Sequence, residues 1–526
     1  MNKSKSWDAR WICGFLVSAS AWLIAVHPFP VYAALVGLEV ASTASYGTFK
    51  SGEYLRLDGR IKGELSPSEK IPDLDKAARN SRGMVEYVTP FVLIMPKDPN
   101  RGNGALLFDV PNRGRPISLA LYNSPRDMPL GVGSLEAGTG FLQDLGFAVA
   151  IVRWELGQGI TLPSFVDAQG KTRFIEGVGF AAVRDFADFL RYGSADRAGM
   201  PNPLAGIINR SLAFGYSQTA RFLKTMLLNG FNMMEGRRVF DGMHLQGGAA
   251  GLLPILQSST GPTSNATAAV PTFIDPTKRG FNEIPLTYAD IMKSVIARGE
   301  IPPRVRVTNM TTDYLSIRAS LARTGERGTI EAPIPTNVRI YDVTGASHAI
   351  VRGPGCTFPR GLLDWFPVMR ATLHHLDRWV SHNIPPPPTN LMPLEARPDD
   401  TTVLQSPPHF PGAVVQAPKR DQDGNFLGGV RLPDVEAPLG VHGNQNAPLT
   451  DFLCSLSASY VAFTKTKAER EASGDKRLSV EERYGSRAEY LNRIRIAAAR
   501  LVADGYLLDE DAAIIVHSAA QSSSFK

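Results

Sequence analysis

The chain has 526 residues, of which 43 % are hydrophobic and 20 % are charged. This composition is typical of a globular enzyme with a large core, and it excludes a filament, a coiled coil or a disordered tail. The 56 basic and 50 acidic residues leave a formal net charge of +6, which is small for this length. Because the basic residues are dispersed, without a Lys/Arg block that interleaves aromatic residues, we expect no nucleic-acid partner.

The first 33 residues are typical of an export signal. Basic residues precede an apolar run from Trp11 to Val26, and Val31 and Ala33 occupy the positions expected for cleavage near Ala33. The run is short for a transmembrane helix, although an uncleaved membrane anchor is the alternative, and no later stretch approaches the length of a membrane span. We therefore expect an exported chain, periplasmic or secreted.

Strand and helix patterns divide the remaining chain into three parts. Residues 34–104 hold strand-like runs that predict antiparallel strands joining the main sheet. Residues 105–384 alternate strands with helices, which predicts a mostly parallel, doubly wound α/β sheet. Within them, residues 251–303 are rich in Ser, Thr, Pro and Gly and are the candidate cap and substrate wall. Residues 385–526 begin with four prolines, which indicate a stiff linker, and continue as a C-terminal extension.

The most informative motif lies between Phe214 and Phe222, where a serine separates a strand-like run from a helical pattern. A tight strand-turn-helix exposes the hydroxyl of Ser217 at a helix N-terminus and directs the amide of Gln218 toward a developing oxyanion. Gly215 fits the pattern G-x-S-x-G, but Thr219 stands in place of its second glycine. An ordinary turn or N-cap serine is the alternative interpretation.

Partners for Ser217 follow it in the chain order serine, acid, histidine. His348 lies in a short loop after a strand-like run and is the candidate general base, the alternative being a loop histidine bonded to backbone. Asp313 follows an earlier strand-like run, and its carboxylate would fix the imidazole tautomer and stabilise the imidazolium. Asp342, inside the strand that precedes His348, is the main rival for the acid.

The loop after the strand-like run 105–110 is expected to complete the oxyanion hole. The backbone amide of Arg113, or of a neighbouring residue, is the candidate second donor. Asn112 in that loop and Trp154 after the next strand are candidate substrate-binding residues, and a core position for Trp154 is equally open. The sequence also leaves open whether Arg113 and Arg115 set the charge of the cleft or are ordinary surface arginines.

Removal of the signal would leave two cysteines, Cys356 and Cys454, in a compartment that permits disulfides. A bond between them would brace the loop of His348, and two free thiols are the alternative. Neither cysteine has Cys or His neighbours at metal-ligand spacing, so we expect no metal site. No Gly-rich phosphate loop occurs in the right context, and we expect no cofactor.

Several motifs along the chain resemble one known family when taken together. They are Asn112–Arg115, Phe180, Arg184 with Asp185, Phe189–Arg191, Phe214–Phe222, Asn309–Tyr314 and Gly429–Pro433. They resemble the bacterial alpha/beta-hydrolase-domain family with a G-Y-S-Q-T-G-R-F nucleophile turn. The chain departs from that pattern at Ala220, Asp313 and Leu315, where the family usually has glycine, glutamate and tryptophan. The resemblance implies an alpha/beta-hydrolase fold and a serine hydrolase, but hardly a substrate.

The sequence therefore predicts an exported serine hydrolase, and specifically a carboxylic ester hydrolase, which forms an acyl-enzyme on Ser217. Its partner would be a small-molecule or lipid ester. Two alternatives stay open: a catalytically inactive exported binding protein on the same fold, and an amidase or acyltransferase that uses the same triad. The sequence does not specify the oligomeric state.

Overall fold

A computed structural model describes residues 35–126, 129–253, 255–256, 258–261, 285–396 and 412–522. Chain contacts divide the protein into residues 1–32 and 33–526, and the second unit contains all of the described residues. The predicted export signal lies outside the described residues, as does much of the predicted cap. Within the described ranges, no helix is both long and apolar enough to cross a membrane.

A nine-stranded mixed sheet forms the centre of this unit, in the order β1-β2-β3-β5-β4-β6-β7-β8-β9. β1, β2 and β3 are antiparallel to one another, and β3 is antiparallel to β5. From β5 to β9 every neighbouring pair is parallel. The strands are β1 (Leu35–Phe49), β2 (Gly52–Leu65), β3 (Val85–Pro96), β4 (Ala105–Asp109), β5 (Ala148–Val152), β6 (Arg210–Tyr216), β7 (Gly242–Gln246), β8 (Arg304–Met310) and β9 (Val338–Val343).

The burial of the strands follows their place in the sheet. Every residue of β4, β5 and β7 is buried, as expected for central parallel strands that are covered on both faces. β1 lies at the edge, and most of its second half is exposed or half-exposed. The expected order, with antiparallel strands leading into a parallel sheet, is confirmed.

Helices cover both faces of the sheet, so two separate apolar clusters form. One face packs α3, α4 and α5, which contribute Phe186, Phe222 and Ile291 to its core. The other packs α1, α2 and α7, with Leu119, Leu142 and Leu373. The helices of this part are α1 (Ser118–Tyr122), α2 (Phe141–Asp144), α3 (Val178–Tyr192), α4 (Gln218–Leu228), α5 (Tyr288–Ala297), α6 (Thr311–Ser316) and α7 (Phe366–His382). The fold is therefore the doubly wound α/β arrangement that the sequence predicts.

The C-terminal part adds helices and short hairpins around this sheet. The proline run does not stand apart, because the Tyr341 hydroxyl of β9 donates to the carbonyl of Pro387 at 2.7 Å. The helices are α8 (Pro433–Glu436), α9 (Lys467–Ser473), α10 (Val480–Tyr484), α11 (Arg487–Ala503) and α12 (Asp509–Ala520). The hairpins of the C-terminal part pair Leu394–Ala396 with Gln416–Pro418 and Gly440–Gln445 with Ala458–Ala462. Three further hairpins lie within the α/β part and pair Ser164–Val166 with Thr172–Phe174, Met233–Met234 with Arg237–Arg238, and Thr324–Gly325 with Ile330–Glu331. Single 3₁₀ turns are Leu74–Lys76, Pro99–Arg101, Ala319–Ala322, Glu326–Gly328 and Phe452–Leu456.

Candidate active site

Ser217 lies in the turn between β6 and α4, at the carboxyl end of the parallel strands. Its backbone has φ 55° and ψ −108°, a conformation that a residue with a side chain adopts only at a cost in free energy. The Ser217 amide donates to the carbonyl of Gln246 at 2.7 Å, which ties the turn to β7. The amide of Gln218, the first residue of α4, has no acceptor within its own helix and is left at the helix N-terminus beside the serine.

Close approach of the backbone explains the residues around this turn. A Cβ at Gly215 would lie 2.5 Å from the carbonyl oxygen of Thr219, so only glycine fits there. Thr219 stands in place of the second glycine of the motif, and its hydroxyl accepts a hydrogen bond from the Tyr216 amide at 2.9 Å. Ala220 is accommodated by Gly248 of the facing loop, where a Cβ would lie 2.7 Å from that of Ala220.

The structure brings the three predicted catalytic side chains into one hydrogen-bonded line. His348 Nε2 lies 3.0 Å from Ser217 Oγ, and His348 Nδ1 lies 2.6 Å from Asp313 Oδ1. Both members of the His348–Asp313 pair are buried, at 3 % and 0 % exposure, while Ser217 is half-buried. The arrangement has the geometry of a nucleophile, a base and an orienting acid.

The loop of His348 is held by the first turn of α6. The His348 amide donates to Thr312 Oγ1 at 2.6 Å, and the Gly345 amide donates to Thr311 Oγ1 at 2.8 Å. Asp313 accepts a second hydrogen bond, from the Met310 amide to Oδ2, at 2.7 Å. These two threonines were not identified from the sequence. The signal was their position directly before Asp313, where a hydroxyl can accept a hydrogen bond from a neighbouring loop.

Asp342, the rival acid, has a structural role. It is fully buried and accepts hydrogen bonds from the Tyr314 hydroxyl at 2.8 Å and from the Met392 amide at 3.0 Å. Arg323 lies 3.2 Å from the same oxygen. Burial raises the pKa of Asp342, and the nearby guanidinium opposes that rise. Its carboxylate thus links β9 to the segment after the proline run. The carboxylate that contacts His348 is that of Asp313.

The loop from Asn112 to Arg115 is a tight turn beside the serine. Its ends exchange two backbone hydrogen bonds, and Arg113 and Gly114 between them have φ of 51° and 72°. Positive φ at both central residues is the feature of a type I′ turn. The φ of 72° at Gly114 favours glycine, and a Cβ there would also lie 2.2 Å from Oε1 of Gln158, so the Gln158 side chain would have to move.

The backbone amide of Arg113 is not free to donate to an oxyanion in this structure. The Arg113 amide donates to Oε1 of Gln218 at 2.9 Å, because that side chain turns back over the loop. The other end of the same side chain, Nε2, donates to Glu155 at 2.9 Å. The sequence allowed the amide of Arg113 or of a neighbouring residue as the second oxyanion donor, and in this arrangement the Arg113 amide is occupied. The neighbouring amide, that of Gly114, has no hydrogen-bond acceptor among the described residues.

Trp154 and Asn112 each donate a hydrogen bond to a backbone carbonyl near the site. Trp154 is 2 % exposed, packs on Phe222, and donates from Nε1 to the carbonyl of Pro111 at 2.9 Å. The prediction that Trp154 contacts substrate is wrong, because the indole lies beneath the loop, in the core. Asn112 does border the cavity, but its Nδ2 donates to the carbonyl of Tyr216 at 2.6 Å.

Ser217 and His348 open into a cavity of about 520 Å³. Its walls come from three segments: residues 112–132, 348–366 and 453–456. Apolar side chains predominate, and they include Ile117, Leu121, Leu130, Val132, Ile350, Val351, Leu362, Trp365, Phe366, Leu453 and Leu456. This lining suits an apolar acyl or alcohol group of moderate size.

The predicted cap contributes nothing to this cavity among its described residues. Instead α5, which lies within 251–303, packs on the core through Ile291 and Val295, which are both buried. Residues 262–284 lie outside the described residues, so a cap formed by them stays a prediction. In the described parts of the chain the cavity wall is built by the segment after β4, by the segment that begins at His348, and by the C-terminal extension.

A disulfide joins the histidine loop to the C-terminal extension. Cys356 and Cys454 are bonded, with Cα atoms 5.5 Å apart and a sequence separation of 98 residues. Leu453 and Leu456 on one side of the bond and Val351 and Arg352 on the other border the cavity. The bond therefore connects two walls of the site.

A second, larger groove of about 1080 Å³ lies at the opposite end of the parallel strands. It is lined by residues that precede or begin β6, β7 and β8, such as Asn209, Asp241 and Arg304. Three of its arginines are ion-paired: Arg191 and Arg238 with Asp241, at 2.7 Å and 2.8 Å, and Arg210 with Asp377 at 2.6 Å. In open α/β sheets ligands bind outside the carboxyl ends of the strands, which favours the cavity at Ser217.

Solved structures similar to this chain include several esterases, all of them distant. The S-formylglutathione hydrolase FrmB of Staphylococcus aureus is 10 % identical, with a TM-score of 0.24 over 54 % of this chain and 90 % of its own. The glucuronoyl esterase of Solibacter usitatus is 14 % identical, with a TM-score of 0.27 over 59 % and 80 %. The rice cell wall degrading esterase LipA of Xanthomonas oryzae is 11 % identical, with a TM-score of 0.28 over 60 % and 91 %. Values this low carry no argument about activity.

Among curated proteins none matches this chain in sequence. A family model described as an alpha/beta hydrolase domain matches residues 152–517, more than half of the chain. The matched range contains Ser217, Asp313 and His348 and begins after the Asn112–Arg115 turn. With the doubly wound sheet and the serine at its carboxyl edge, the match shows that this chain belongs to the alpha/beta hydrolase domain family.

Proposed function

We propose that this protein is an exported serine hydrolase that cleaves carboxylic esters through Ser217, His348 and Asp313. The observation that carries the proposal is the continuous line of hydrogen bonds from Ser217 Oγ to His348 and on to Asp313, of 3.0 Å and 2.6 Å. Membership of a hydrolase family supports the general class, and the apolar cavity at the serine supports an ester with an apolar portion.

The reaction follows from the positions of these atoms. His348 Nε2 accepts the proton of Ser217 as its Oγ attacks the ester carbonyl, and the imidazolium returns that proton to the leaving alkoxide. Asp313 keeps the proton on Nδ1 and stabilises the imidazolium. Water then attacks the acyl-enzyme with the same base, which releases the acid and restores the serine.

The oxyanion would be held by backbone amides. We assign the first donor to Gln218, at the N-terminus of α4, and the second to Gly114, whose amide has no other acceptor among the described residues. The helix dipole of α4 adds a favourable field at the same point. The Gln218 side chain fixes the distance between the two segments by binding the Arg113 amide.

Steady-state hydrolysis of 4-nitrophenyl acetate and butyrate tests the activity. We expect turnover by the purified chain that falls by about 10³-fold or more in His348→Ala and by a smaller but large factor in Asp313→Asn. Asp342→Asn is the matched control, since it alters a buried carboxylate that lies off the proposed line. Export is tested separately by N-terminal sequencing of the protein from the periplasm or medium, with cleavage expected near Ala33. Ester turnover by the wild type that survives in His348→Ala would refute the mechanism.

A further inference from the structure

The cavity at Ser217 is strongly biased toward positive charge. Four arginines border it, against a single carboxylate. The net charge of the whole chain is only +6 over 526 residues, so this grouping is a local feature and does not reflect a basic protein. The arginines are Arg113, Arg115, Arg126 and Arg352, and the carboxylate is Asp364.

These guanidinium groups differ from the ion-paired arginines of the same protein. Arg184, for example, is paired with Asp185 at 2.7 Å and Arg370 with Asp511 at 2.5 Å. Among the described residues, no carboxylate lies within ion-pairing distance of the four cavity guanidinium groups. A group of cations left unpaired beside a nucleophile provides free donors for an anion.

Arg113 gives the clearest case, because part of its guanidinium group is buried without a partner. Its Nη1 is inaccessible to solvent and has no hydrogen-bond partner. Burial lowers the pKa of Arg113, and the charges of Arg115 and Arg221 lower it further, while Glu155 opposes them. Mutual repulsion of this kind is relieved when an anion enters.

Arg126 and Arg352 lie on different walls of the cavity. Arg126 follows α1 and is half-buried, and Arg352 follows the histidine loop and is exposed. Asp364 lies near Arg126, but its Oδ1 also accepts a hydrogen bond from the Phe366 amide at 3.1 Å. The two arginines can therefore approach a ligand from both sides, beyond the apolar residues that surround it.

We propose that the substrates are esters that also carry an ionised carboxylate, which Arg115, Arg126 and Arg352 bind at the cavity mouth. The inference rests on the proposed ester hydrolysis and specifies its substrate class. The planar guanidinium matches a carboxylate with two parallel hydrogen bonds, which fixes the orientation of the ester at Ser217. The apolar wall contacts the carbon skeleton between the two groups.

Two pairs of esters test this specificity. In the first, mono-(4-nitrophenyl) glutarate and 4-nitrophenyl pentanoate have acyl chains of the same length, with and without a carboxylate. In the second, 4-acetoxybenzoate and 4-acetoxybenzamide place the charge on the alcohol side. We expect kcat/KM to favour the anionic member of at least one pair by about tenfold at low salt, and this ratio to fall as the salt concentration rises.

Variants connect the preference to the named residues. In the double variant Arg126→Gln with Arg352→Gln, we expect the ratio of anionic to neutral kcat/KM to fall to about one. Arg495→Gln is the matched control, because Arg495 is exposed on α11 and its loss changes the net charge without changing the cavity. A neutral preference in both pairs, or an anionic preference that the double variant retains, overturns the inference.

A binding measurement separates this inference from the proposed activity. Calorimetry on Ser217→Ala compares monomethyl glutarate with methyl pentanoate, and the anionic ester is expected to bind more tightly. If the wild type hydrolyses no ester but Ser217→Ala still prefers the anionic ligand, the activity fails and the anion site stands. If the wild type hydrolyses neutral esters and neither rates nor binding favour the anionic partners, the activity stands and the anion site fails.

Discussion

The Gln218 side chain and the Arg113 backbone are joined by a hydrogen bond of 2.9 Å, from the Arg113 amide to Oε1. This contact links the turn that carries Ser217, the proposed nucleophile, to the turn that would supply the second oxyanion donor. Residue 218 therefore acts twice: its amide is the first proposed donor, and its side chain positions the loop of the second.

Replacement of Gln218 separates these two roles. In Gln218→Met the backbone amide and the side-chain length remain, while the hydrogen bonds to Arg113 and Glu155 are lost. We expect kcat for 4-nitrophenyl butyrate to fall by about tenfold or more with a smaller change in KM, because the loss is felt in the transition state. Gln218→Glu keeps an acceptor for the Arg113 amide and should retain more activity than the methionine variant. Equal kcat values in wild type and Gln218→Met would show that the contact does not position the loop.

Gly247 lies directly against the imidazole of His348, where a Cβ would be 2.9 Å from Cε1. We expect Gly247→Ala to displace the ring and to reduce kcat by about 10²-fold, since small errors in position are costly in catalysis. The control is Gly170→Ala, at a similar φ of +75° but with nothing within 4 Å of the added methyl group. Both variants should lose about 1 kcal/mol in unfolding free energy, and only the first should lose activity. A fall in kcat common to both would point to general destabilisation.

Asp109 should make the stability of the protein depend on pH. Burial raises the pKa of Asp109 to about 6, although its Oδ2 accepts hydrogen bonds from the Ile117 and Ser118 amides at 2.8 Å and 2.7 Å. Because the folded chain then holds the proton more tightly than the unfolded one, this residue's contribution to unfolding free energy falls as pH rises from about 4 to 6, and is constant above that.

The variant Asp109→Asn removes this titration while its carbonyl can still accept both amide hydrogen bonds. Oδ1, which has no partner, becomes the site of the amide nitrogen. We expect the variant to gain stability relative to wild type between pH 4 and pH 6, by about 3 kcal/mol at most. Chemical denaturation at several pH values measures it, and curves for the two proteins that run parallel would contradict the raised pKa.

The bond between Cys356 and Cys454 should affect both stability and substrate binding. Replacing both cysteines with alanine opens a loop of 98 residues and should lower the unfolding free energy by about 4 kcal/mol. KM for 4-nitrophenyl butyrate should rise, because two walls of the cavity are no longer linked, whereas kcat should change less. A reductant should produce the same shift in the wild type and none in the double variant. A wild-type KM that is unchanged by complete reduction would separate the bond from the site.

Local patterns along the chain were enough to predict the fold and the order of the proposed triad. The elbow at Ser217 depends on a buried strand, small residues and a helix that are contiguous in sequence. Asp313 and His348 each follow a strand directly, and parallel strands deliver such residues to one edge of the sheet. Their distances in the structure agree with the predicted arrangement, and their catalytic roles remain a prediction.

The residues that the sequence did not reveal depend on contacts between distant segments. The Arg113 amide is occupied because Gln218 lies 105 residues away in sequence but adjacent in space. Trp154 directly follows a strand, as a site residue would. Its indole is nevertheless buried and donates a hydrogen bond to the carbonyl of Pro111, at the base of the loop. The cavity wall combines residues near 120, 350 and 455, a combination that no local pattern specifies.

Reaction with a fluorophosphonate, followed by mass spectrometry of the labelled peptide, tests the central claim most directly. The reagent phosphonylates an activated serine and requires no knowledge of the substrate. We expect stoichiometric labelling at Ser217, no labelling of Ser217→Ala, and labelling of His348→Ala slowed by about 10²-fold or more. Absence of labelling in the folded wild type, or labelling that persists in Ser217→Ala, would contradict the assignment of Ser217 as the nucleophile.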